Sequence, residues 1–141
     1  MAWFRSLNTQ ISDWQGRRVW IVGASSGIGA ALAADLDARG ARLALSARSA
    51  GRLRDVAEGM RDAMLLPLDV TDAGAFTPAM MQILDAWGGL DLVILNAGTY
   101  TPLRAWDLTT DTARQTVHTN LLGVMDGVAA GGPQMRRPPG G

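Results

Sequence analysis

No cysteine and no lysine occur anywhere in the chain, histidine occurs once, at His118, and tyrosine once, at Tyr100. The missing cysteines exclude a disulfide framework, a thiol nucleophile and a thiolate zinc cluster, and one imidazole cannot replace them as a ligand set. No metal site is expected. Net charge is also lacking: 13 arginines balance 13 acidic residues, so the chain carries no electrostatic footprint for nucleic acid. Long apolar runs are absent as well. The longest are of strand length and broken by Gly, Asp or Arg, far short of the roughly 20 residues of a membrane span. Met1 to Arg18 has polar residues throughout and so does not read as a signal peptide. No membrane partner is expected, and the expected location is cytoplasmic.

What is present suits one packed domain. The 141 residues are too few for two separate cores, and 48% are hydrophobic. A polar lead-in, residues 1–16, contains Trp3, Phe4 and Trp14. Arg18 to Val22 is short, β-branched and aromatic, and stops at Gly23, which predicts a buried strand. Ile28, Leu32 and Leu36 recur every fourth residue and predict a helix closed by Gly40. Ala41 to Ala47 reads as a second strand, followed by Leu53, Val56, Ala57 and Met60 at helical spacing. Met64 to Leu68 reads as a third strand, and Pro67, which has no N–H for a ladder bond, places it at a sheet edge. Phe76, Ala79, Met80, Ile83, Leu84 and Trp87 mark one face of a helix ended by Gly88 and Gly89. Leu90 to Leu95 is an apolar fourth strand, and a helix from about Thr110 is expected to turn Ala113, Val117, Leu121, Val124 and Val128 inward. This alternation implies an α/β fold: a Rossmann-type doubly wound parallel sheet of about four strands over residues 17–130. Residues 131–141, with Gly131-Gly132-Pro133 and Arg136-Arg137-Pro138-Pro139, predict a disordered tail that does not continue the helix.

Between the first strand and the first helix lies Gly23-Ala24-Ser25-Ser26-Gly27-Ile28-Gly29. A glycine turn opening a helix after a strand offers free amides and the positive end of the helix dipole to a diphosphate, and it lets the backbone approach closely. The alternative is an ordinary strand-to-helix turn. Gly23, Arg48, Asp69 and Asn96 each end a successive strand, and ligands of open parallel sheets bind along that edge. Taken singly, Asp69 reads more as a strand-end cap than as a contact, and Asn96 as either; their alignment favours a shared ligand. At the end of the second strand the acid that would accept the ribose hydroxyls of NAD is missing. The segment reads Ala47-Arg48, with a guanidinium shaped for a phosphate, so NADP is preferred over NAD. Arg48 as a solvated helix-start residue is the alternative, and Arg52 is expected to face water. Asn120 shares the stripe of Val117, Leu121 and Val124, so it is expected to point inward and to need a partner. His118 reads as a solvated helix residue.

The glycine spacing resembles that of the short-chain dehydrogenase/reductase family, with Val22 in place of the family's threonine. The likeness extends through Asp69-Val70, where the family contacts adenine with the Asp, and Asn96-Ala97-Gly98, which is similar to the family's segment beside the cofactor. It implies a dinucleotide site at Gly23, Ser25, Ser26, Gly27, Ile28, Gly29, Arg48, Asp69, Val70, Asn96, Ala97 and Gly98. It also implies that Asn120 supports the active site through a water and a catalytic lysine, and that a small carbonyl or alcohol is the substrate. Association into homo-oligomers fits too, because members often pair through helices that include the one carrying Asn120.

The family's chemistry also needs Tyr-x-x-x-Lys, and no such pair exists here: Arg104 stands four residues after Tyr100. Members are considerably longer, so the resemblance implies a chain that stops early, through truncation, a shifted frame or an incomplete gene model. An unprotected fourth-strand edge and marginal stability would result. The sequence thus reads as the cofactor-binding part of an NADP-dependent oxidoreductase; the competing readings are a catalytically inert dinucleotide-binding module and a fragment without function.

Overall fold

The computed structural model describes residues 11–135. Four parallel strands form one sheet: β1 (Arg18–Val22), β2 (Arg42–Ser46), β3 (Ala63–Leu65) and β4 (Leu92–Leu95), in the spatial order β3-β2-β1-β4. The helices are α1 (Gly27–Ala38), α2 (Ala50–Ala57), α3 (Phe76–Trp87), α4 (Thr110–Val117) and α5 (Gly123–Met135), with a π-helical turn over His118–Leu122 joining the last two. Successive side chains of a strand point to opposite faces, which divides the core in two. Val19, Ile21, Leu43 and Leu45 pack with Ala33, Leu36 and Leu53 of α1 and α2. Trp20, Val22 and Ala44 pack with Phe76, Ala79, Met80 and Ile83 of α3. Burial on both faces explains why these strands lack polar alternation.

β3 does lie at an edge, as Pro67 requires. Leu66 and Leu68 continue the pairing by donating to the carbonyls of Leu45 and Ala47, and Pro67 falls between them, where its nitrogen faces away from β2. β3 and β4 are shorter than the expected segments, and α3 ends at Gly88 in the left-handed region, φ 69°.

The predicted first helix forms as α1, with Gly29, Ala33 and Leu36 buried and Ile28 71% exposed. Two expectations are corrected. Along α4 and α5, Val117, Leu121 and Val128 are exposed, and the inward stripe is Gly123, Gly127 and Gly131. Val117 is already exposed in α4, ahead of the π turn, so the apolar residues at 117, 121 and 128 lie on an outward face while small residues face the core. Glycines let α5 approach the sheet, since a Cβ on Gly127 would lie 2.7 Å from the Leu95 side chain of β4. Finally, residues 131–135 are helical through Pro133, because Gly131 is buried against Met80 and Val93 and tertiary packing outweighs local preference. Of the lead-in and the tail, residues 1–10 and 136–141 lie outside the described residues, whereas Trp14 packs against the α1–α2 side of the core.

At the amino end of the sheet, Arg18 locks β1 to β4. Its guanidinium donates to both carboxylate oxygens of Asp91 and to the Trp87 carbonyl, and its amide donates to Asp91 as well. The bonded guanidinium holds the Asp91 carboxyl below the usual carboxylate range, against the opposing effect of burial. A carboxylate depressed in the folded state stabilises the fold above its unfolded pKa, and that stabilisation is lost as pH falls through the folded value. Asp91→Asn is therefore expected to cost about 1 kcal/mol at neutral pH, a figure kept small because the pair is partly solvated. The gap to the parent should close below about pH 4 in urea melts followed by circular dichroism. A gap independent of pH would contradict this.

Candidate functional site

Strand order reverses between β1 and β4, and an open cleft of about 630 Å³ lies at their carboxyl ends. Gly23 leaves β1 with φ +92°, and a Cβ there would lie 2.5 Å from the Ala97 nitrogen, so only glycine lets the turn pass beside the segment after β4. That contact is tied by a hydrogen bond: the Asn96 side-chain amide donates to the Gly23 carbonyl at 3.1 Å. Asn96 therefore joins the ends of the two strands at the switch point.

Ser26 is the N-cap of α1, yet its hydroxyl makes no capping bond, and no acid occupies the first turn. The leading amides of this 12-residue helix thus have no side-chain acceptor from the cap, and Ser25 and Ser26 just before them line the cleft. Ser49 behaves differently, capping α2 by accepting the Arg52 amide at 3.3 Å. Arg48 and Arg52 flank it at the mouth of the cleft, and among the described residues neither is ion-paired. Asp69 ends the next strand segment and accepts from the Thr71 amide at 2.9 Å and hydroxyl at 2.8 Å. The amide bond holds its carboxyl below the usual carboxylate range; burial acts the other way, and the Thr71 hydroxyl, Arg48 and His118 add to the lowering. Asp69 is thus the strand-end cap and also part of the cleft wall.

Of the residues singled out from the sequence, Gly23, Ser25, Ser26, Arg48, Asp69, Val70, Asn96, Ala97 and Gly98 line the cleft together. Gly27, Ile28 and Gly29 do not; Gly29 lies beneath the turn, where a Cβ would collide with the Gly23 carbonyl oxygen. Arg52 lines the cleft, contrary to expectation, and Ala47, Ser49, Leu68, Thr99, Gln115 and Thr119 join it without having been singled out. Gln115 and Thr119 come from α4 and the π turn, and four-residue spacing from Gln115 would have put them on one side.

Asn120 is corrected in position. It is exposed and outside the cleft, and its amide pairs completely with one residue: Oδ1 accepts the Thr99 amide at 2.7 Å, and Nδ2 donates to the Thr99 carbonyl at 2.8 Å. The partner needed by that amide is thus the loop after β4, whose residues Asn96 to Thr99 line the cleft. Asn120→Ala is expected to speed hydrogen exchange at the Thr99 amide about five- to tenfold, the equivalent of one net hydrogen bond. An unchanged rate would show that the clamp does not hold the loop. Tyr100 is 83% exposed and His118 is exposed, and neither lines the cleft. No group of three or more metal-ligating side chains occurs among the described residues, and no helix there is long and apolar enough to cross a membrane.

Comparison with known proteins agrees with this geometry. The family model described as short chain dehydrogenase matches residues 17–141. The human dehydrogenase/reductase SDR family member 7 is 34% identical over 131 residues, covering 81% of this chain and 39% of the relative. A short chain dehydrogenase from Burkholderia cenocepacia in complex with NADP superposes with a TM-score of 0.80 at 34% identity, covering 87% of this chain and 52% of the other. One from Burkholderia phymatum in complex with NAD gives 0.82 at 25% identity, covering 89% and 46%. The chain therefore spans about half the length, or less, of these proteins.

Proposed function

Given that the chain belongs to the short-chain dehydrogenase family, we propose that it binds NADP(H) in the cleft and provides the cofactor site of an oxidoreductase acting on a small carbonyl or alcohol. The observation that carries the reading is the pairing of two features along one edge. The Gly23–Ser26 turn lines the cleft at the start of α1, whose N-cap makes no side-chain bond, and Arg48 stands just after β2 with no ionic partner among the described residues. The first suits the diphosphate common to both dinucleotides. The second suits the phosphate that distinguishes NADP, in the place where an acid would favour NAD.

When bound, the dinucleotide supplies or accepts the hydride. The residues of this chain do the holding: the turn and α1 take the diphosphate, Arg48 with Arg52 and Ser49 takes the ribose phosphate, and Asp69 with Val70 borders the base. Asn120 acts as a positioning residue through Thr99. The tyrosine–lysine pair that would transfer a proton at the substrate oxygen is missing from the sequence. Lysine is absent, and the one tyrosine, Tyr100, stands outside the cleft with Arg104 four residues on. That favours a second reading of the chain acting alone, as a module that binds the dinucleotide without turning over. Competition between NADPH and NADH for the chain tests the cofactor choice: NADPH should displace NADH at lower concentration, and equal potency would overturn it. Oxidation of NADPH by the purified chain with a panel of aldehydes and ketones would overturn the inert reading.

A further inference from the structure

Among the described residues one polar side chain lies wholly within the core: Ser46, the last residue of β2. It does not line the cleft. Its hydroxyl accepts the indole N–H of Trp20 at 2.8 Å, and both residues are 0% exposed. The indole also makes an edge-on contact with Phe76 of α3, ring centres 6.3 Å apart. An indole N–H in a core needs an acceptor, so the serine rotamer and the ring fix each other.

The main chain of the same serine faces the other way in function. Ser46 stands opposite Val22, the last pair of the β1–β2 register. Beyond that pair the ladder ends, and the Ser46 carbonyl accepts two amides of the glycine turn, Gly23 at 2.7 Å and Ala24 at 3.1 Å. Two residues later comes Arg48, on the cleft. One buried residue therefore joins three things: the start of the diphosphate turn, the exit of β2 that carries Arg48, and a tryptophan immobilised between sheet and helix.

We propose that Trp20 and Ser46 are positioning residues of the dinucleotide site, setting the distance between the glycine turn and Arg48 without touching the ligand. The inference rests on the NADP(H) reading of the cleft. A ligand held at both ends must satisfy that distance, whereas one held at the turn alone need not. Loss of the bond should therefore fall on NADPH far more than on NADH, while a bond that only stabilises the core would affect both alike or neither.

The test is equilibrium binding of NADPH and NADH to the full chain and to Ser46→Ala and Trp20→Phe, at a temperature where each variant is folded. Ile83→Val, in the same core cluster, serves as a control of similar stability loss. Both test variants should melt about 5 °C lower. They should bind NADPH about five- to tenfold more weakly, the equivalent of one hydrogen bond, and NADH within about twofold of the parent. Ile83→Val should bind both as the parent does. The proposal is overturned if NADPH and NADH weaken by the same factor in the test variants, if neither weakens, or if Ile83→Val shows the same selective loss. Failure of both test variants to fold also overturns it, because the pair is then a requirement of the core. A parent chain that binds no NADPH, or binds it no better than NADH, instead removes the NADP(H) reading itself.

Discussion

Replacing Arg48 with alanine is expected to weaken NADPH binding by about 10- to 100-fold, the loss of charge-assisted hydrogen bonds to one phosphate, while NADH binding stays within about twofold. The size reflects the side chain's surroundings. Arg48 sits at the cleft mouth without an ionic partner among the described residues, so removal breaks no structural bridge. Its field also reaches Asp69, whose carboxyl it helps to lower. Arg48→Lys should recover only part of the loss, because an ammonium offers a point charge where the guanidinium offers a fork. Binding isotherms for the two dinucleotides, measured at one salt concentration, check the difference. Equal losses for NADPH and NADH would mean that Arg48 does not meet the distinguishing phosphate.

Gly29→Ala is expected to damage both the fold and the dinucleotide site through one added methyl group. The added Cβ would overlap the Gly23 carbonyl oxygen and come 2.9 Å from the Asn96 side-chain nitrogen. The carbonyl is backbone and cannot swing aside, and it is also the acceptor that Asn96 uses to tie β4 to the turn. Relief therefore requires moving the turn off α1 and breaking that tie, at about 3 kcal/mol or more in stability. Dinucleotide affinity should fall by more than about 100-fold, since the amides no longer converge. Gly27→Ala makes an informative contrast. At Gly27 nothing lies within 4 Å of the added Cβ, and only the positive φ of +54° is unfavourable, at about 1–2 kcal/mol. Calorimetric melting of the two variants should rank Gly29→Ala well below Gly27→Ala. The reverse order would contradict the close approach of turn and helix.

Much of this was legible in the sequence, for identifiable reasons. Strand β1 is apolar on both faces because helices cover both, and that leaves a run no surface strand would show. The face of α3 from Phe76 to Trp87 follows a regular helix and appears inward as its spacing requires. Pro67 could occupy only an edge. The cleft residues were found because each follows a strand, and strand ends are visible where apolar runs stop. Where the reading failed, the inward face carried the wrong kind of residue for it. The covered positions of α4 and α5 are small or polar, so the exposure of Val117, Leu121 and Asn120 could not be read from apolar spacing, although Gln115 and Thr119 do share one side at four-residue spacing. The inward use of Gly123, Gly127 and Gly131 was hidden for a related reason: apolar periodicity looks for large side chains, and close packing of a helix on a sheet asks for none. Ser46 carries no signal of its own in the sequence, since only the fold places Trp20 beside it.

The most direct measurement is a calorimetric titration of the folded 141-residue chain with NADPH, read together with its thermal midpoint. Saturable heat with one site per chain is expected, and at about 100 times the dissociation constant the ligand should add about 2.7 kcal/mol of stability, raising the midpoint. A folded chain that gives neither heat nor a shift in midpoint with NADPH would contradict the assignment of the cleft to a dinucleotide.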